Sequence, residues 1–210
     1  MRHSPEILQR RLSSSGAVLA FGSHMTFIDP ESMGASIVNH ITGRKYTIRR
    51  LSDLDEGPTI VSQIVAICCE PEVYDWIFRE PLAGGPYTEE KAEHWLRWAR
   101  EGWATGSHFV FAVVDDKGQL AAACDIKSND PMAEVGYWAS QDHRGVMTNT
   151  LKEICSFAAK AGFKGLFAWT KSQNLRSRAV LERAGFVKVP SDREAHERFE
   201  LLLSSGDKEE

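Results

Sequence analysis

Apolar positions alternate in some stretches of the chain and recur every three to four residues in others, and the change of period marks the elements. Tyr46-Thr47-Ile48-Arg49 alternates as a strand does, following a turn at Gly43. Ser52 and Asp53 offer N-cap chemistry, and Ile60 to Cys69 then takes a helical period, with Pro58 in its first turn and Pro71 as its stop. A short helix is predicted through Val73, Trp76 and Ile77, before a Gly84-Gly85-Pro86 loop. Trp95, Trp98, Ala99 and Trp103 recur at helical spacing and predict an amphipathic helix from Glu89 to Glu101, capped by Thr88.

The alternating pattern returns in Phe109 to Val114 and Leu120 to Asp125, joined by a tight turn at Asp115-Asp116-Lys117-Gly118, and again in Glu134 to Trp138. From Met147 to Lys160, Leu151, Ile154, Cys155 and Ala158 share one helical face, with Gly162 as the C-terminal stop. Leu166 to Thr170 reads as a buried strand, so the order strand, helix, strand implies a right-handed parallel crossover. Asn174 caps a helix from Arg176 to Arg183 that ends at Gly185, and Phe186 to Val189 and Phe199 to Leu203 close the sheet. The predicted fold is α/β (α+β): a mixed, mostly antiparallel sheet with one parallel crossover and flanking helices.

With 210 residues and 42% hydrophobic content there is room for one domain and short appendages. Gly22-Ser23-His24-Met25 has the look of an expression-vector junction, so residues 1–24 read as an expression leader or a disordered segment, 25–44 as an N-terminal extension, 45–203 as the domain and 204–210 as a polar tail. The formal charge of -4 gives no electrostatic case for nucleic acid as a partner. No apolar run approaches the roughly 20 residues that span a bilayer. The four cysteines lack disulfide or zinc spacing and read as reduced, mostly buried thiols, so a soluble cytoplasmic protein is expected, without a metal. The aromatic content is compatible with a homodimer.

Three segments then carry a resemblance. Glu134-Val135-Gly136-Tyr137-Trp138, Gln141-Asp142-His143-Arg144-Gly145-Val146-Met147-Thr148, and Asn174-Leu175-Arg176-Ser177 through Leu181-Glu182-Arg183-Ala184-Gly185-Phe186 resemble the signature of the GNAT superfamily. The branch they most resemble is the RimJ/RimL-like ribosomal-protein N-acetyltransferases, to which Pro86-Tyr87-Thr88-Glu89 is also similar. The resemblance spans Tyr46 to Leu203. It implies a GNAT-like sheet, acetyl-CoA as donor, and transfer of acetyl to a primary amine on a small molecule or a protein N-terminus by direct attack in a ternary complex.

Physically, the middle segment joins a strand to a helix, where free amides and the helix dipole favour an anion. The resemblance assigns coenzyme A pyrophosphate binding to His143, Arg144, Gly145, Val146, Met147 and Thr148. It also places a backbone N–H that polarises the acetyl carbonyl near Trp138 and Ala139. This loop departs from the family, which has two glycines separated by one residue; here Arg144-Gly145 runs straight into Val146-Met147-Thr148. Hence an alternative expectation: a non-catalytic GNAT-fold binding module with a degraded phosphate loop. An acyl carrier using Cys124 or Cys155 is a third, without sequence support for an activated thiol.

The reaction needs a proton acceptor for the amine, and Glu134 is the candidate, with Asp125 as the weaker one. The family's tyrosine position in the last helix holds Leu181, and the branch resembles enzymes in which a serine donates the proton instead, which Ser177 matches. Asn174 would bind the cofactor or order that loop. Each has an ordinary reading beside it: Glu134 as a solvent-facing strand carboxylate, Asn174 as an N-cap, Ser177 as an exposed helical serine. Trp95, Trp98 and Trp103 read as packing before they read as a substrate cage, and His94 and His108 as surface or strand-edge residues.

Overall fold

The alternating segments pair into a single eight-stranded sheet because each buries one or both of its faces under helices supplied by the periodic segments. A computed structural model describes residues 35–54 and 58–203; the expectations for a leader over 1–24, most of the extension and the tail over 204–210 lie outside them. The strands are β1 (Ala35–Val38), β2 (Lys45–Arg50), β3 (Phe109–Val114), β4 (Leu120–Ile126), β5 (Met132–Ala139), β6 (Gly165–Lys171), β7 (Val187–Val189) and β8 (His196–Leu202). The helices are α1 (Pro58–Cys68), α2 (Pro71–Val73), which continues as a π-turn through Phe78, α3 (Glu89–Thr105), α4 (Val146–Lys160) and α5 (Leu175–Arg183).

The strand order is β1-β2-β3-β4-β5-β6-β8-β7. Among the described residues only β5 and β6 run parallel, and they pair through three positions, Met132 with Gly165, Ala133 with Leu166 and Glu134 with Phe167. Past Glu134, β5 stays registered with β4 as far as Ala139, while β6 stays registered with β8 as far as Lys171. The sheet therefore splits between its two middle strands.

Alternation along the strands sorts side chains into two apolar layers. Phe111, Val113, Cys124 and Val135 point to α4 and α5, where they meet Met147, Leu151, Ile154 and Leu181. Val110, Ala112, Ala123 and Trp138 point to α1 and α3, where Ile64, Leu96 and Ala99 cover them. The tryptophans of α3 are packing residues: Trp95 lies 5.6 Å from Trp138, and Trp103 meets Phe109 and Phe111 while its indole N–H donates to the Val110 carbonyl. His108 is equally structural, stacked 3.9 Å from Trp98 and hydrogen-bonded to the Trp98 carbonyl.

Four local expectations change. Ser52 and Asp53 do not stand at the start of α1; they lie in a 3-10 turn, Leu51–Asp53, where Asp53 pairs with Arg50. The helix expected to end at Glu101 runs on to Thr105, because Gly102 and Trp103 face inward and Gly106, in a left-handed conformation, supplies the stop. Thr88 occupies the N-cap position of α3, yet its hydroxyl makes no cap hydrogen bond. Strand β1 falls in the segment read as an extension; it pairs with β2 along its whole length.

Candidate active site

Between the separated ends of β5 and β6 lies a groove of about 680 Å³. Its walls come from β5, β6, α5 and the loop that follows β5, and its rim from α2, the His40-Ile41 turn and the β7–β8 loop. The backbone of β5 lines it with hydrogen-bonding groups. Ser140 N–H donates to Ala121, and the Glu134 carbonyl accepts from Lys127, so the even-numbered positions of β5 are turned toward β4. By the alternation of antiparallel pairs, Val135, Tyr137 and Ala139 turn their backbone groups the other way, into the groove. Of the two residues expected near the carbonyl contact, Ala139 thus presents its amide to the gap. Trp138 pairs its own with β4 and packs its ring on Trp95.

At the groove's mouth the chain leaves β5 at Ser140, passes through a 3-10 turn, Gln141–His143, and enters α4. Glu70 fixes that exit: one carboxylate oxygen accepts from the Ser140 hydroxyl and the other from the Gln141 amide, both at 2.7 Å. Gly145 holds the N-cap position of α4 at φ 98°, and no side chain caps the helix. The first amides of a helix have no partner within it, so those of Val146, Met147 and Thr148 remain for an anion. A Cβ on Gly145 would come within 2.6 Å of the Asn39 side-chain oxygen and 2.8 Å of Ile41, so both backbone conformation and space require glycine.

The expected phosphate-loop residues divide by what their side chains do. Arg144 lines the groove. His143 turns its ring away, onto the Tyr46 hydroxyl at 3.0 Å, where burial lowers its pKa, helped by Arg44 and opposed by Asp115, Asp142 and Glu70. Val146 and Thr148 are buried, and Thr148 accepts at its hydroxyl from Arg183, another groove residue. Asn39 was not anticipated: it is buried and donates from its amide to the Arg144 carbonyl at 3.0 Å, while its oxygen accepts from the Ile41 and Thr42 amides. His40 contacts the Gly145 carbonyl at 2.6 Å. An Asn four residues before Gly43 is turn chemistry legible in the sequence; its long-range target is not.

On the α5 side, Asn174 is the N-cap, its oxygen accepting from the Ser177 amide at 3.1 Å, and it also lines the groove. The Ser177 hydroxyl lies 2.9 Å from the Tyr137 hydroxyl, which also donates to the Ser177 carbonyl. Burial pushes the Tyr137 phenol well above its ordinary range, although the Ser177 hydrogen bond works against it. Tyr137 was read only as a strand residue.

Glu134 sits where the two strands part and pairs with Lys127 at 2.5 Å. Burial raises the Asp125 carboxyl, with Lys127 opposing and Glu134 adding to the rise. Burial works to lower the Lys127 ammonium, but Asp125 and Glu134 outweigh it and hold Lys127 above its usual range. Gly136 leaves the space for this cluster, since a Cβ there would lie 2.5 Å from an Asp125 oxygen. Two carboxylates about one ammonium leave a net negative charge, so the cluster gains a proton without becoming cationic.

Neither Cys124 nor Cys155 suits nucleophilic work: burial raises both thiols, that of Cys155 to about 12. All four cysteines are unpaired. Among the described residues no helix is long and apolar enough to cross a membrane, and no cluster of side chains is suited to a metal.

A family model described as an acetyltransferase (GNAT) domain matches residues 46–187. No curated protein sequence matches the chain. Its fold is similar to that of RimL, a ribosomal L7/L12 alpha-N-protein acetyltransferase solved with coenzyme A, at TM-score 0.66 and 14% identity over 81% of this chain and 99% of that one. It is also similar to the GNAT domain of S. lividans PAT (TM-score 0.66, 18% identity, 83% and 99% covered) and to spermidine N-acetyltransferase from Vibrio cholerae, solved with coenzyme A and spermine (TM-score 0.61, 15% identity, 76% and 96% covered).

Proposed function

Since the chain belongs to the GNAT acetyltransferases, a family of acetyl-CoA-dependent N-acetyltransferases, we propose that it transfers acetyl by direct attack of a primary amine, on a small molecule or a protein N-terminus, in a ternary complex in the cytoplasm. The observation that carries this reading is the split between β5 and β6, with an uncapped helix N-terminus at its mouth. A pantetheine arm fits such a gap, and a diphosphate suits the amides of Gly145 to Thr148 together with Arg144 and Arg183. Bound there, acetyl-CoA supplies a thioester carbonyl open to attack and a thiolate as leaving group.

In this reading Ala139, whose amide faces the groove, donates to the carbonyl oxygen as negative charge develops there. Glu134, held in its cluster with Lys127 and Asp125, takes the proton from the attacking amine. Ser177 gives a proton to the departing sulfur. Tyr137, hydrogen-bonded to Ser177, holds that hydroxyl in place, and the serine recovers its proton from solvent in the open groove. Asn174 orients the first turn of α5 so that Ser177 meets Tyr137. Placement of the two reactants contributes most of the acceleration, and these groups add to it.

The test is calorimetric titration with acetyl-CoA, followed by an assay of thiol release against a panel of amines. Saturable binding and amine-dependent release are expected; no detectable heat of binding sinks the proposal. A protein that binds coenzyme A and releases no thiol with any amine is the binding module that the single-glycine loop first suggested.

A further inference from the structure

The proposed transfer leaves open which amine arrives, and the uncovered half of the sheet bears on it. On the face covered by α1 and α3, the apolar layer stops at Trp138. Across the gap, β6 and β8 turn partly exposed Phe167, Trp169 and Arg198 to that same face. Cations cover these rings in place of a helix. The Arg198 guanidinium lies 4.2 Å over Phe167 and pairs with Glu200 at 2.7 Å.

Arg193 differs. Its guanidinium lies 4.1 Å over the Trp169 ring, and among the described residues no carboxylate stands within ion-pair distance of it. It borders the groove together with Lys127, and the two cations are near enough to repel. Although the side chain is exposed, its backbone is held on both sides. The Ser191 hydroxyl accepts from the Arg193 amide at 3.1 Å and donates to the Arg193 carbonyl at 3.2 Å. The His196 amide donates to that carbonyl too, and Ala195, at φ 57°, turns the loop so that its own carbonyl accepts from Ser172. A planar cation stacked on an indole keeps its edge donors directed outward in a fork that matches a carboxylate or a phosphate.

We infer that the acceptor is a small amine that also bears a carboxylate or phosphate, and that Arg193, stacked on Trp169, binds that anionic group while the amine reaches Glu134. The inference rests on the acetyl-transfer reading. It excludes polyamines, because Arg193 lines the groove without a carboxylate beside it and repels a second positive charge. Lys171 is balanced by Glu80 at 3.2 Å, and Lys127 by Glu134, which leaves Arg193 to attract the anion.

The experiment compares matched amines in the presence of saturating acetyl-CoA: β-alanine against propylamine, phosphoethanolamine against ethanolamine, and spermidine. Transfer is read as kcat/KM, and binding to the coenzyme A complex is read by calorimetry. We expect an anionic member to exceed its neutral partner by about tenfold or more, the carboxylate and phosphate pairs telling which group is preferred. Arg193→Ala should bring that ratio close to one while acetyl-CoA affinity stays unchanged, and Arg193→Lys should restore part of it. Equal or better use of neutral amines or spermidine overturns the inference, as does a panel in which no anionic amine is acetylated or bound. Loss of acetyl-CoA binding by the unmodified protein would instead be the failure of the acetyl-transfer reading.

Discussion

Two helix N-termini border the same groove, and they are finished in opposite ways. At α5, Asn174 turns its side chain back onto the Ser177 amide, so the helix end is satisfied internally. At α4, Gly145 carries no side chain to do so, and Asn39 and His40 engage the carbonyls before the helix, leaving its amides alone. A capped terminus positions the residues of its first turn, here Ser177. An uncapped one facing a cavity is an anion receptor. In the proposed function one terminus holds phosphates and the other a proton donor, although both begin with a strand-to-helix turn.

The contrast breaks most sharply at Gly145. Gly145→Asp adds a carboxylate that competes for the α4 amides and repels a phosphate, at a backbone angle and in a space that admit no Cβ. Loss of one charged hydrogen bond is worth about 1.5–3 kcal/mol, so calorimetry should find coenzyme A bound roughly 100-fold more weakly. A thermal melt run alongside separates this from unfolding. If Asn174→Ala weakens coenzyme A more than Gly145→Asp does, the assignment of the two termini is reversed.

Next in size is Ser177→Ala. It should lower kcat by about 100-fold, the lower range for a positioned proton donor, with the acetyl-CoA dissociation constant within about twofold. Tyr137→Phe should follow it in direction and be smaller, because the serine remains. A kcat unchanged in Ser177→Ala would leave α5 with a structural role only.

Asn174→Ala removes a cap and should destabilise the fold by about 1 kcal/mol, seen as a fall in Tm of about 2–4 °C, with coenzyme A affinity nearly intact. The smallest effect concerns pH. In the fold, burial holds the His143 pKa below the unfolded value of about 6.5. The unfolded chain therefore binds the proton more readily. The contribution is fully present above about pH 6.5 and is lost as pH falls through that value toward the folded pKa. Melting at pH 7.5 and 5.5 should show a smaller acid loss in His143→Gln than in the unmodified protein.

Much of this was legible in the chain. Period-two and period-3.6 patterns placed nearly every strand and helix, because burying one face of each element is a local requirement written in residue spacing. The signature segments identified the loop, Glu134, Asn174 and Ser177 as the places to look. Missing were Asn39, Glu70 and Tyr137, each of which acts on a residue far off in the sequence. A buried asparagine, a glutamate after a helix and a strand tyrosine each have an ordinary local explanation, and no periodicity announces their partners.

By itself the sequence determined the elements, their order, the one parallel connection and the glycine that must stand before α4, since these follow from spacing, chirality and backbone conformation. Only the tertiary structure decided that β5 and β6 separate after three paired positions, that the turn after the first strand braces the loop before α4, and that Arg193 comes to rest on Trp169. Those are contacts between distant segments, whose free energies depend on what the rest of the fold has already brought together.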